Sequence, residues 1–250
     1  MINELISLVF DAVKGTRMDT PKPRSPVLAE LRFAERRRDF DGLDLAERFA
    51  LIHRTNLWGA ETSQSGLGSE LDATSTLRRE LSQLLKRFEV TTLLDLPCGD
   101  FTWIAQMDLR GIAYLGADIV PDIIASNVAR YERAGHIDFH LLDLVSDPLP
   151  AADLVLCRDC LVHLSFANIH RAIANLKRSG TRWLLTTTFP DASANRDIEN
   201  GDWRVLNLQY APFLFPAPLA VINEGCTEAG GDYADKSLAL WRVSDLPGDA

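Results

Sequence analysis

From Thr91 onward the chain alternates short apolar runs with amphipathic stretches, and that rhythm limits it to few architectures. Runs at 91–96, 112–118, 137–142, 153–157 and 182–188 read as strands, with helices expected near 101–108, 121–134 and 166–179. Strands alternating with helices imply a parallel sheet covered on both faces: a Rossmann-like, doubly wound α/β fold. The 143–152 crossover is the exception, because Pro148 and Pro150 prevent a regular helix there. A long irregular stretch, 190–218, follows the fifth strand, and connections of that length at a strand exit are commonly lids or binding loops. Two further strands at 219–224 and 236–243, joined around Gly230-Gly231, predict a hairpin that adds an antiparallel member to the sheet.

The first third of the chain has a different rhythm. A short apolar segment, Leu5 to Val13, reads as an N-terminal helix, and Lys22-Pro23-Arg24-Ser25-Pro26 as a linker that cannot continue it. Helical spacing returns over Val27 to Asn56 and Thr74 to Phe88, on either side of a Gly/Ser-rich loop at 58–69. The expected organisation is a helical cap over 1–88 and an α/β domain over 89–250, with 190–218 as a lid insertion. The net charge of −9 and pI near 5.0 disfavour nucleic-acid and anionic-membrane partners, which need a positive surface. No apolar run approaches the roughly 20 residues that span a bilayer. Met1-Ile2-Asn3-Glu4 lacks the basic region of a secretory signal, and four irregularly spaced cysteines fit reduced thiols. A cytoplasmic protein acting on a small molecule is expected, with a homodimer among the assemblies the sequence allows.

Three carboxylates stand at successive strand ends: Asp95, Asp118 and Asp143. Asp118 follows Asp95 by 23 positions, near the interval of about 20 at which a Rossmann unit places its ribose-binding acid. A nucleoside-containing cofactor is therefore expected. A dinucleotide site wants G-x-G-x-x-G, so that pyrophosphate rests on bare amides. Here Pro97 replaces the first glycine and Asp100 would repel phosphate. S-adenosylmethionine carries no phosphate, and its ammonium and sulfonium groups are positive, so acids beside the loop would hold it. Asp143 is placed for the adenine amino group, with Ile119 and Leu144 to pack on the ring. An NAD-dependent oxidoreductase or epimerase remains the competing enzyme class, and a non-catalytic nucleoside-binding module the third.

With these residues in place, the chain over about 91–243 resembles the class I S-adenosylmethionine-dependent methyltransferases. Asp95-Leu96-Pro97-Cys98-Gly99-Asp100-Phe101 keeps the acid and central glycine of that family's first motif and departs at Pro97 and Phe101. A tighter likeness is to a bacterial subgroup in which Pro-Cys-Gly-Asp-Phe, Gly-x-Asp-Ile and Cys-Arg-Asp-Cys-Leu-Val-His-Leu occur together. Its members look like enzymes that modify sugars or other small polar acceptors. The resemblance implies a cofactor site drawn from Asp95, Pro97, Gly99, Asp100, Phe101 and Trp103, then Asp118 and Ile119, Asp143 and Leu144, and Cys157.

Reaction chemistry is expected in Cys157-Arg158-Asp159-Cys160-Leu161-Val162-His163. Asp159 and His163 are spaced i, i+4, so a helical turn would let the carboxylate orient the imidazole and raise its basicity. His163 is then the candidate general base for methyl transfer to a hydroxyl, as O-methylation of a sugar or glycoside would require. Arg158 either holds an anionic group of the acceptor or pairs with Asp159. N-methylation of a small amine or a protein side chain, where a base matters less, is the alternative. Cys157, Cys160 and His163 do not supply two ligand pairs for zinc, and no metal is expected. Trp58, Ser65, Gly66 and Ser69 from the first loop, and Thr188, Trp203, Asn207 and Tyr210 from the fifth strand and the long loop, are the expected acceptor contacts.

Overall fold

The computed structural model describes residues 24–59, 63 and 65–248. The helix expected over Leu5 to Val13, and the linker up to Pro23, lie outside the described residues. A capping box, in which the Asp44 carboxylate accepts from the Glu47 amide and the Glu47 carboxylate from that of Asp44, fixes the start of the second of two short helices. These are α1 (Leu28–Arg36) and α2 (Leu45–Arg54), which enclose a small core of Phe33, Phe40, Ile52 and Leu57. Helix α3 (Ser75–Arg87) turns Leu77, Leu81, Leu84 and Leu85 inward.

The strands are β1 (Thr92–Asp95), β2 (Ala113–Asp118), β3 (Ile137–Leu141), β4 (Leu154–Cys157), β5 (Trp183–Thr188), β6 (Ala220–Asn223) and β7 (Ser237–Arg242). They form one sheet in the order β3-β2-β1-β4-β5-β7-β6, parallel except for β7, which runs antiparallel to both neighbours. The expected fold class is what is observed, and each expected strand lies within two residues of its place. Helix α4 (Pro121–Tyr131) starts on a proline, whose missing N–H costs nothing at a helix start. Helix α5 (Phe166–Arg178) starts at Ser165, whose hydroxyl accepts from the Asn168 amide. Alternate strand residues face opposite ways. Leu94, Val155, Cys157 and Leu184 join α5 and the long loop in one core, while Leu93, Leu154, Leu156 and Leu185 join α3 and α4 in the other. Double burial explains why these strands read as continuous apolar runs rather than alternating ones.

The chain departs from the sequence expectation right after β1. No α-helix forms over 101–108; a single 3-10 turn spans Ile104–Gln106. Phe101 adopts a left-handed backbone (φ 59°) and puts its ring into the core, 4.9 Å from Tyr114, 5.1 Å from Tyr131 and 5.2 Å from Phe139. Burying that ring, and thereby breaking the helix at its first turn, outweighs the hydrogen bonds a regular helix would add. The expected assignment of Phe101 to the cofactor is accordingly corrected: its ring is a core residue. Phe101→Ala should lower stability by about 3–5 kcal/mol in urea unfolding; a loss under about 1 kcal/mol would deny the ring this role.

Candidate functional site

The carboxyl ends of β1, β2 and β4 converge on a cavity beside the Pro97–Asp100 loop. It is lined by Asp95, Pro97, Cys98, Gly99, Asp100, Trp103, Asp118, Ile119, Arg158, Asp159, Cys160 and His163, with Phe49, His53 and Trp58 from the helical cap and Ser65 and Ser69 from the Gly/Ser loop. This is the crevice outside the strand ends where open α/β sheets bind ligands. Gly99 sits at φ +53°, where its amide donates to Asp118 (3.2 Å) and its carbonyl accepts from Asn127 (2.7 Å). A Cβ there would collide with the Ser65 hydroxyl, which itself accepts from the Asp100 amide at 2.9 Å. Ser65 thus brings this part of the Gly/Ser loop directly over the strand ends.

Asp95 and Asp118 are buried, and burial pushes both upward. Asp95 reaches about 7 despite the Tyr114 hydroxyl donating to it at 2.7 Å. Asp118 reaches about 6, held back by the amides of Val120 and Gly99. Asp143 and Leu144 lie in an adjoining apolar recess with Leu45, Phe49, Pro97, Ile119, Leu142 and Cys160. The Asp143 carboxylate accepts from the Val145 amide (2.8 Å) and the Ser146 hydroxyl (2.7 Å), so it also shapes its own loop. Cys157 is wholly buried in the core, its side chain outside both the cavity and the recess; this corrects its expected contact.

Asp159 does not orient His163. The segment from Leu161 to His163 is a 3-10 turn, and Asp159 itself is left-handed (φ 50°), so no α-helical i, i+4 pairing forms. The Asp159 carboxylate instead meets the Lys236 ammonium at 2.7 Å and Arg158 at 3.3 Å. Burial alone would raise its pKa, but those two cations hold it well below the carboxylate range. Arg158 in turn donates to Glu224 at 2.6 Å and to the Gly68 carbonyl at 2.8 Å. Its pairing with Asp159 is seen, but with every nitrogen engaged by the protein it is a clamp rather than an acceptor contact. Glu224 and Lys236, at the facing ends of β6 and β7, were absent from the sequence reading. A charge ending one apolar strand and beginning the next was the available signal.

His163 is buried, with its ring 4.8 Å from that of Trp58 at an interplanar angle of 30°. Its Nδ1 donates to the Asp202 carbonyl at 2.9 Å, which leaves Nε2 as the unprotonated nitrogen. Among the described residues nothing hydrogen-bonds Nε2. Burial pushes the imidazole down to about 4, against the pull of the Asp202 carbonyl. The carbonyl comes from the long loop, which is stapled behind His163: Arg204 donates to Leu161 O and Leu164 O, and the Gly201 amide to His163 O. A second cavity shares Trp58, Ser65, Asp159 and His163 with the first and adds Gly66, Gly68, Phe189, Trp203, Glu228, Tyr233 and Lys236. Thr188 and Asn207 are corrected as acceptor contacts: both are buried and spend their polar atoms on Leu206, Pro190 and Ala192 carbonyls. Tyr210 is half exposed and lines neither cavity. Among the described residues no group of three or more His, Cys, Asp or Glu could hold a metal, and no helix is long and apolar enough to cross a membrane.

Residues 94–181 match the family described as methyltransferase domain. No curated protein sequence matches the chain. The fold is similar to human N-acetylserotonin methyltransferase in complex with SAM (TM-score 0.58, 15% identity, 86% of this chain covered). This chain spans just under two thirds, 66%, of that protein. It is also similar to the N-methyltransferase NodS from Bradyrhizobium japonicum WM9 in complex with S-adenosyl-L-homocysteine (TM-score 0.55, 16% identity, 80% of this chain and 98% of that one). The stretch that is similar to a methyltransferase domain, 94–181, contributes most of the residues that line the first cavity.

Proposed function

We propose that the enzyme methylates a hydroxyl oxygen of a small polar acceptor, sugar- or glycoside-like, with His163 as general base. The observation that carries this reading is the place of His163: a neutral, tautomer-fixed imidazole in the wall shared by two cavities. The first cavity suits the cofactor, the second the acceptor. The described part of the helical cap, with Phe49, Trp58 and Ser65 in the cavity walls, would close both.

The first cavity fits S-adenosylmethionine by the chemistry of its donors and acceptors. Asp118 accepts from ribose hydroxyls, and Asp95 takes the ammonium. Ile119, Leu144 and Phe49 pack on the adenine, with Asp143 at the recess edge for its amino group. Pro97, Gly99 and Asp100 let the cofactor lie against the backbone, and Trp103 closes the far wall. When bound, S-adenosylmethionine supplies an electrophilic methyl group on a positively charged sulfur. The chain supplies alignment, exclusion of water and a proton acceptor. Alignment alone is worth about 7 kcal/mol or more when reacting atoms are held in line.

An alcohol becomes strongly acidic as its oxygen takes up a methyl group. A base with a pKa of about 4 therefore suffices, provided that it is neutral beforehand, and burial keeps His163 neutral at pH 7. The proton passes to Nε2, and the imidazolium so formed is stabilised by the nearby Asp159 carboxylate, which raises the imidazole pKa. The Asp202 carbonyl keeps the ring from rotating.

Two outcomes test this. His163→Ala should lower kcat by about 100-fold or more, the usual weight of general-base catalysis, while leaving S-adenosylhomocysteine affinity within about two-fold. An equal loss of both would make His163 structural, and unchanged turnover would remove the base from the mechanism. The second outcome concerns Asp95. Burial raises its pKa to about 7, so the carboxyl takes up protons in the empty site as pH falls through neutrality. A bound ammonium favours the carboxylate, lowers that pKa and expels the proton. Calorimetry in buffers of different ionisation enthalpy should show proton release near neutral pH, with affinity rising through pH 7 and then levelling. Asp95→Asn should abolish the release, and a buffer-independent enthalpy in the native protein would refute the assignment.

A further inference from the structure

The second cavity has two properties that the methyl-transfer reading leaves unused. Four aromatic side chains line it: Trp58, Phe189, Trp203 and Tyr233. The last three pack edge to face, with ring centroids 5.3 to 6.2 Å apart, which fixes their orientation. The other property is charge. Arg158, Lys236, Asp159 and Glu224 form a closed set of two cations and two carboxylates, with Lys236 2.7 Å from Asp159 and 3.7 Å from Glu224. Arg24, over the Phe189 and Tyr233 rings, is cancelled by Asp235 through two hydrogen bonds. His163 is neutral. Glu228 is what remains: a partly buried carboxylate in the cavity wall with no hydrogen bond or salt bridge among the described residues. With Glu228 in reach of the same two cations, three carboxylates face two positive charges, which gives the cavity an excess negative charge, and aromatic faces add to it through their quadrupoles.

We infer that the acceptor carries a protonated amine, which Glu228 binds inside this aromatic cavity. The inference rests on the reading of the second cavity as the acceptor site, and it narrows the acceptor from polyols in general to amine-bearing ones. The ammonium lies against the Glu228 carboxylate and an aromatic face, and a hydroxyl elsewhere on the acceptor reaches Nε2 of His163. Neutral polyols keep the stacking and lose the ion pair. Carboxylate-bearing analogues meet Glu228 as a like charge and are turned away.

The test uses the full chain saturated with S-adenosylhomocysteine, so that no turnover intervenes. Three probes of similar size and different charge are titrated by calorimetry: benzylamine, benzyl alcohol and benzoate. Benzylamine should bind at least ten-fold more tightly than benzyl alcohol, with benzoate weakest. Glu228→Gln should bring benzylamine to the level of the alcohol, with S-adenosylhomocysteine affinity unchanged as the check on folding. Equal binding of amine and alcohol, preference for benzoate, no binding of any probe, or an amine preference that survives Glu228→Gln would each overturn the inference. Failure of the hydroxyl reading looks different: the amine preference persists, while turnover is indifferent to His163→Ala or the methyl group is found on nitrogen.

Discussion

Arg158 leaves the end of β4 and is buried. Glu224 from β6, Asp159 from the β4 loop and the Gly68 carbonyl from the cap meet it there, and Lys236 from β7 completes the set. Four segments far apart in sequence are thereby held at one point. Each charge is tolerable only because the others are present. Burial alone would push Lys236 down, and the Asp159 and Glu224 carboxylates reverse that and hold it above its ordinary value. Removing one partner from such a set strands a buried charge, at a cost of about 3–5 kcal/mol. The set thus fixes where the C-terminal hairpin and the Gly/Ser loop lie, and with them both cavities.

The same burial produces opposite acidities a few residues apart. Asp95 and Asp118 face the first cavity without a salt bridge among the described residues, and desolvation raises both, for Asp95 against the pull of Arg158 and the Tyr114 hydroxyl. Asp159 has two cations against it and stays ionised. These two acids thus carry raised pKa values at the cavity wall, whereas Asp159 provides a permanent negative field beside His163. Gly68 belongs to this arrangement, since a Cβ there would press on the Lys236 ammonium at 3.1 Å and on Asp159 at 3.3 Å. The loop can carry the Gly68 carbonyl to Arg158 only by coming that close.

What the sequence made legible divides along the range of the interactions involved. Strand positions could be read because a doubly covered sheet demands unbroken apolar runs, a local requirement. That Asp95, Asp118, Gly99 and His163 line one cavity could be anticipated because crevices in this topology lie at strand ends. The partner of His163 could not: spacing offered Asp159, yet electrostatics drew that carboxylate to Lys236, 77 residues away. Glu224 and Lys236 escaped notice for a related reason: their places at the ends of two apolar strands were visible, but not that Arg158 and Asp159 share the same buried point. Thr188 and Asn207 misled in the other direction. Polar residues in a long loop look like ligand contacts, but a loop packed against a core must satisfy its own carbonyls, and these two side chains do that.

The missing helix after β1 ties these strands together. Sites that bind phosphate in this topology use the N-terminus of that helix, where free amides and the dipole attract anions. Here Phe101 turns into the core, the helix never starts, and the loop amides are taken by Asp118 and Ser65. What faces the ligand is therefore carboxylate rather than bare N–H. A substitution that reads as a lost glycine in the motif thus has an electrostatic consequence for the site as a whole. By burying an aromatic ring, the chain removes its anion site and leaves an acidic crevice in its place, which a cationic, phosphate-free cofactor fits and a pyrophosphate does not.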